Sequence, residues 1–240
     1  MISPEEIASN LQQQRQRIKD AATRAGRDPT DIRLIAVSKY QPADAIEAAY
    51  QAGHRDFGEN YAQEIVQKSL ELSHLKDLRF HMIGHLQTNK VKKIISKFNA
   101  IHTVSSLKLV EELNRRSAIS QSDKAQAPLA VMIEVNLSGE PQKKGCQAKD
   151  AATLVAAIQA SPALQLSGLM TMPAAHPDPE ASRPIFEELT RLRDQLGGRQ
   201  SLPRLSMGMS RDAEVAIACG STDLRIGTAI FGSRPPREKS

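Results

Sequence analysis

The chain has 240 residues, of which 40% are hydrophobic, 25% charged and 3% aromatic, with no tryptophan. That composition excludes a disordered or collagen-like chain, and no apolar run approaches the ~20 residues of a membrane span. The formal charge of +5 suits a small anionic ligand or a basic surface, while so few aromatic residues argue against a platform on which bases stack.

The first predicted element is a helix from Glu5 to about Arg24. It opens "SPEE", with Ser3 as N-cap, Pro4 at the first helical position and acids in the first turn. It stops near Gly26, with Pro29 just beyond. This N-terminal segment, about 1–28, has acidic and polar residues where a signal peptide would need an apolar core. With Cys146 and Cys219 as the only cysteines, no disulfide framework is implied and a cytoplasmic location is expected.

Eight short apolar runs follow: "RLIAVS" at 33, "RDFGEN" at 55, "FHMIG" at 80, "AIHTVS" at 100, "LAVMIEVN" at 129, "LQLSGLMTM" at 164, "RLSMGM" at 204 and "DLRIGTA" at 223. Amphipathic segments lie between them, among them 42–53, 106–120, 148–161 and 183–198. The basic run "NKVKKIISK", Asn89 to Lys97, interleaves lysines with Val91, Ile94 and Ile95 and reads as a solvated helix face rather than a nucleic-acid patch. Strand–helix alternation implies a parallel sheet. Eight units closing on themselves give an α/β fold, a single (β/α)8 TIM barrel with an extra N-terminal helix; an open doubly wound sheet is the alternative. One domain over 1–240 is expected, ending in a polar tail at about 233–240.

In such a barrel the chemistry sits at the C-terminal strand ends. Lys39, Glu59, Asn60, Gly84, His85, Asn136, Thr171, Ser210, Gly227 and Thr228 are therefore expected around one mouth. Lysines ordinarily end strands because they prefer water. At the rim of a pocket, however, partial desolvation frees a nucleophilic amine. Loops after the seventh and eighth strands commonly bind phosphate in this fold, and Ser210, Gly227 and Thr228 supply hydroxyls and close backbone approach there. A lysine facing phosphate has three explanations: a Schiff base to pyridoxal phosphate, a Schiff base to a sugar phosphate, or simple charge neutralisation. Arg225 shares the face of Gly227 by strand alternation. It either donates to a pyridine nitrogen, keeping it unprotonated, or forms a salt bridge across the mouth.

The chain resembles the YggS/PROSC family of pyridoxal-phosphate homeostasis proteins over nearly its whole length. The resemblance is carried by "AVSK" with Lys39, "FGENYAQE" at 57–64, "FHMIGHLQTNK" at 80–90, "VNLSGEPQKKG" at 135–145, "SGLMTMPA" at 167–174 and "SMGMSRDAEVAIACGSTDLRIGTAIFG" from Ser206 to Gly232. It implies a fold type III barrel, like that of alanine racemase and the ornithine decarboxylases but without their second domain. It further implies that Lys39 carries the cofactor as a Schiff base, that Ser210, Gly227 and Thr228 hold its phosphate, that Arg225 approaches its pyridine nitrogen, and that Asn60 and Met209 are further pocket contacts. His85 is given no role.

No metal is expected. His81 and His85 are four apart, but they straddle a strand end and lack a third ligand. The cysteines read as small buried apolar residues. A racemase needs two opposed bases, and Tyr40, Tyr50 and Tyr61 are not placed to be the second. The expected activity is therefore holding and delivering pyridoxal phosphate, with apo pyridoxal-phosphate enzymes as recipients and amino-acid and keto-acid balance as the consequence. No catalytic turnover, no nucleic acid and no membrane are expected. A racemase- or decarboxylase-like enzyme is the alternative, and a regulatory protein acting through partner contacts is a third. Without the second domain that carries the relatives' main dimer surface, a monomer is expected.

Overall fold

A computed structural model describes residues 2–122, 127–140 and 144–233. Eight parallel strands close in sequence order: β1 (Arg33–Val37), β2 (Asp56–Glu59), β3 (Arg79–Met82), β4 (Ala100–Val104), β5 (Leu129–Glu134), β6 (Leu164–Met170), β7 (Arg204–Ser206) and β8 (Asp223–Ile226). Closure is made by β8 against β1, with Leu224 opposite Leu34 and Ile226 opposite Ala36. The open-sheet alternative is thereby excluded. The tail from 234 onward lies outside the described residues.

Alternation along the strands separates two interiors. Leu34, Ala36, Phe57, Val131, Ile133, Leu224 and Ile226 belong to the apolar layer between barrel and helices. Ile35 and Met132 fill the barrel itself, buried but outside that layer. They share it with polar residues, because His81, His102, Ser206 and Arg225 are linked by hydrogen bonds across four strands.

The outer layer begins with α1 (Pro4–Arg24). Its cap is reciprocal: Glu6 N–H donates to Ser3 Oγ at 3.2 Å, and Ser3 N–H donates to Glu6 Oε2 at 2.7 Å. The helix packs on α2 (Ala43–Gln51), α9 (Ala213–Ala218) and α10 (Thr228–Phe231), so it spans the seam where the barrel closes. The remaining helices are α3 (Ala62–Glu71), α4 (Val91–Ile94), α5 (Leu107–Ser122), α6 (Ala151–Gln159), α7 (Arg183–Gln195) and α8 (Gly198–Ser201). The basic run from Asn89 is less regular than its spacing predicts. Only α4 is α-helical, between 3-10 turns at Thr88–Lys90 and Ile95–Lys97. Val91 and Ile94 are buried and Lys92 and Lys93 exposed, as the pattern requires. The helix stops because the chain is drawn at once into β4: Asn99 N–H donates to Phe80 O, and Phe80 N–H donates to Asn99 Oδ1.

Candidate functional site

Lys39 follows β1 in a tight turn, with Gln41 N–H donating to Ser38 O at 3.0 Å. Tyr40 takes φ +64°, a left-handed conformation that costs a non-glycine residue roughly 1–2 kcal/mol. The turn is held from α3. Lys68 Nζ donates to Ser38 O at 2.8 Å, to Glu59 Oε1 at 2.8 Å and to Glu64 Oε2 at 3.0 Å. Glu64 Oε2 also accepts from Tyr40 N–H at 2.9 Å.

Glu59 is thus a correction to the expected rim. By alternation Gly58 faces the barrel axis, where a Cβ would meet Ile83 and Ile35. The next residue turns the other way: Glu59 Oε1 accepts from Lys68 and Ser38 under α3, and Oε2 is buried without a partner. Burial raises its pKa against the pull of Lys68.

Asn60 follows β2. Its Oδ1 is buried with no hydrogen-bond partner, an acceptor that awaits a donor. Its backbone is crossed by Gly84, where a Cβ would lie 2.3 Å from Asn60 O, so only glycine permits this approach. After β7, Gly208 takes φ +95°, and Asp212 ties the following loop: its Oδ1 accepts from Met209 N–H at 2.7 Å and its Oδ2 from Ser182 Oγ at 3.0 Å. Arg17 of α1 donates to Ser210 O at 2.8 Å. A cleft of about 190 Å³ opens here beside His176, Ser182, Met209 and Ser210. Another of about 550 Å³, lined by Leu75, Lys97, Ser117 and Gln121, lies at the opposite strand ends.

Arg225 is buried on β8, facing the axis. It donates to Ser206 Oγ at 2.7 Å and to Thr171 O at 3.0 Å. Burial lowers its pKa to about 10 against the charges of Asp212, Glu134 and Asp223, which leaves it a cation at neutral pH. Gly227 lies beside β1, where a Cβ would sit 3.2 Å from Val37 O, and Thr228 is exposed at the start of α10. Glu134 ends β5, across the barrel from β1. Burial raises its carboxyl, Arg225 and Lys144 draw it back, and its Oε2 has no hydrogen-bond partner.

The residues expected to hold the cofactor therefore follow strands of one arc, whereas Gly84 and His85 follow β3, Asn136 follows β5 and Thr171 follows β6. Met209 and Ser210 follow β7, Arg225 to Thr228 occupy or follow β8, Lys39 follows β1, and Asn60 follows β2. These four strands are consecutive in the closed barrel.

The sequence matches the family described as alanine racemase, N-terminal domain, over residues 2–235. The pyridoxal phosphate homeostasis protein of Pseudomonas aeruginosa is 43% identical over 228 residues, 95% of this chain and 96% of its own length. The Escherichia coli protein of that name is 43% identical over 240 residues, 98% of this chain and 99% of its own. The chain belongs to the pyridoxal phosphate homeostasis protein family. Among solved structures, an unknown protein from Bifidobacterium adolescentis aligns with TM-score 0.87 and 34% identity, over 96% of this chain and 98% of its own. PipY of Synechococcus elongatus with pyridoxal phosphate bound aligns with TM-score 0.79 and 34% identity, over 94% and 100% of the two chains. Alanine racemase from Corynebacterium glutamicum, 16% identical with TM-score 0.66, covers 98% of this chain and 63% of its own, and shares the fold alone.

Several residues of this family member were not legible as site residues. Ser206, His102 and Asp56 sit inside strand runs that read as apolar, and Lys68 lies in α3, which has no N-cap side chain to announce it. His81 was visible only as half of a metal pair. It is buried and hydrogen-bonded to Asp56 and His102, whereas His85 is exposed. Among the described residues no group of three or more His, Cys, Asp or Glu could hold a metal ion. Burial pushes the Cys146 thiol up to about 11, away from nucleophilic use.

Proposed function

We propose that this barrel binds pyridoxal 5'-phosphate through Lys39 and holds and delivers it in the cytoplasm without turning over a substrate. The observation that carries this is the succession, at the C-terminal ends of β7, β8, β1 and β2, of the Ser210 loop, Gly227–Thr228, the clamped Lys39 turn and Asn60, whose Oδ1 is buried without a partner. When bound, the cofactor supplies an aldehyde for an amine and a dianionic phosphate. Lys39 provides the amine. Ser210, Thr228 and the backbone at Gly227 bind the phosphate, Met209 lines the same cleft, Arg225 presents N–H donors to the ring nitrogen, and Asn60 Oδ1 accepts from a donor in the pocket. A guanidinium cannot protonate that nitrogen, so the site is poor at stabilising charge on a substrate carbon. That disfavours catalysis and suits a carrier that works as a monomer and hands the cofactor to apo pyridoxal-phosphate enzymes.

The identity and coverage of relatives named for pyridoxal phosphate homeostasis support this reading, as does a relative described with pyridoxal phosphate bound. One observation favours a second, racemase-like reading: Glu134 is an acid with a free oxygen on the strand facing β1. The test is borohydride treatment of cofactor-loaded protein followed by peptide mapping, and alanine α-proton exchange in deuterium oxide. Label on Lys39 with negligible exchange is expected, and Lys39→Ala stays folded but loses the visible band. Label on a different lysine overturns the site. Exchange that scales with native protein and vanishes in Glu134→Gln installs the enzyme instead.

A further inference from the structure

Behind Arg225 the barrel interior holds a chain of polar side chains to which the proposed function gives no task. Arg225 Nη1 lies 2.7 Å from Ser206 Oγ. Ser206 Oγ lies 2.9 Å from His102 Nδ1, and His102 Nε2 lies 3.1 Å from His81 Nδ1. His81 Nε2 lies 2.8 Å from Asp56 Oδ1, and Arg79 closes the far end on the Asp56 carboxylate at 2.6 and 2.9 Å. His102 and Ser206 are fully buried, and His81, Arg225 and Asp56 nearly so. Barrel interiors are ordinarily filled by branched apolar residues. Polar groups there are costly unless each is satisfied.

Proton bookkeeping gives the chain a direction. A guanidinium only donates, so Ser206 Oγ accepts from Arg225. Burial would raise Asp56, but the hydrogen bonds of Arg79 and His81, with the charge of Arg79, outweigh it and hold the carboxyl well below the usual range. Asp56 therefore only accepts, and His81 Nε2 carries a proton. Burial, with the charges of Arg225, Arg33 and Arg204, holds His102 well below the ordinary imidazole value, so it is neutral and has one N–H. With the His81 Nε2–H donating to Asp56, a neutral His81 offers Nδ1 as an acceptor; the His102 proton then sits on Nε2, and His102 Nδ1 accepts from Ser206 O–H. Every donor then points from Arg225 toward Asp56. The two imidazoles meet edge to face, their planes at 81°, which fixes both rings.

We propose that His102 is a positioning residue for Arg225: acting through Ser206, and held by His81 and Asp56 in a one-way hydrogen-bond chain, it keeps the guanidinium aimed at the bound cofactor ring. The aim at the ring rests on the function proposed above. Thr171 O is the other anchor of Arg225, so losing Ser206 Oγ leaves a guanidinium free to pivot about one carbonyl. Glu134, Asp212 and Asp223 already act on its charge, and the unpartnered Glu134 Oε2 is where a released Arg225 would turn.

Two measurements test this. In the ligand-free, nitrogen-15-labelled full chain, the imidazole spectrum is expected to show His81 and His102 as neutral Nε2–H tautomers with slowly exchanging protons. A proton on His102 Nδ1, or a doubly protonated His81, reverses the chain and overturns the proposal. In protein loaded with pyridoxal phosphate, Ser206→Ala and His102→Gln are expected to keep the visible band but shift its maximum and lose visible circular dichroism, with Ser206→Thr restoring the native spectrum. Native-like spectra in both variants overturn the positioning role. Ser206→Ala keeps the imidazole in place and serves alone if His102→Gln does not fold. Native protein that takes up no pyridoxal phosphate refutes the proposed function instead, and the imidazole spectrum still decides the chain.

Discussion

At the scale of single residues, a left-handed Tyr40 makes Lys39 the apex of a turn rather than the end of a ladder. A lysine one residue earlier would have continued β1, whose carbonyls and amides are committed to β2 and β8. The proposed phosphate side is arranged differently. Its hydroxyls come from short loops tied down by backbone contacts, Ser210 O to Arg17 and Met209 N–H to Asp212, so the side chains remain available. Ser210→Ala and Thr228→Val are each expected to weaken cofactor retention by about 1–3 kcal/mol, the cost of one hydrogen bond to a charged group. Equilibrium dialysis with pyridoxal phosphate and with pyridoxal separates the effects. Pyridoxal lacks the dianion and is expected to respond little, and equal losses for both ligands would remove the hydroxyls from the phosphate. The strand-end positions of Lys39, Ser210 and Thr228 were legible because strand ends in a barrel converge whatever fills the strands. Glu59 misled because one step of alternation turns a rim residue under a helix. Ser206 and His102 stayed hidden because a polar residue inside an apolar strand names neither its face nor its partner.

At the scale of elements, α3 and α1 serve the site from behind. The α3 residues Lys68 and Glu64 grip the turn at Ser38 O and Tyr40 N–H, while α1 reaches Ser210 through Arg17. Lys68 is nearly buried and pairs with the fully buried Glu59 at 2.8 Å. Removing one partner of such a pair leaves the other charge unpaired, which costs roughly 3–5 kcal/mol, whereas removing both is far milder. Urea unfolding of Lys68→Met is therefore expected to show a loss of about that size, most of it recovered in Lys68→Met/Glu59→Gln. Cofactor retention, which depends on the turn as well, is expected to stay impaired in both. A double variant no more stable than the single one would mean that the pair is not the source of the loss. The long α1 was legible from its Ser3 N-cap, Pro4 and acidic first turn. In contrast, α3 follows Tyr61, which makes no side-chain cap, and its first turn carries no apolar stripe to read.

At the scale of the molecule, closure of β8 on β1 brings residues far apart in sequence into one arc, and burial around the barrel stores acid sensitivity. His54 lies behind β2, 5% exposed, with Nε2–H donating to Asp56 O at 2.8 Å and its ring edge-on to Phe57. Burial lowers its pKa from 6.5 to about 4, so the folded protein keeps it neutral while the unfolded chain takes up a proton near pH 6.5. Its contribution is complete above that value and is lost as pH falls toward 4, by roughly 3 kcal/mol for a gap of this size. His102, also held low by burial, acts in the same direction. Glu59 and Glu134, raised by burial, act in the opposite one: their protonated forms suit the fold, so they favour it as pH falls through their raised values toward 4.5. A bare stability profile mixes these terms, so the test is a difference. His54→Gln retains a donor for Asp56 O and cannot titrate. It is expected to be less stable than the native chain near pH 7.5 yet to lose less stability between pH 6.5 and 4, so that the two curves converge. Parallel curves from urea unfolding across that interval would show that His54 is not held neutral by the fold.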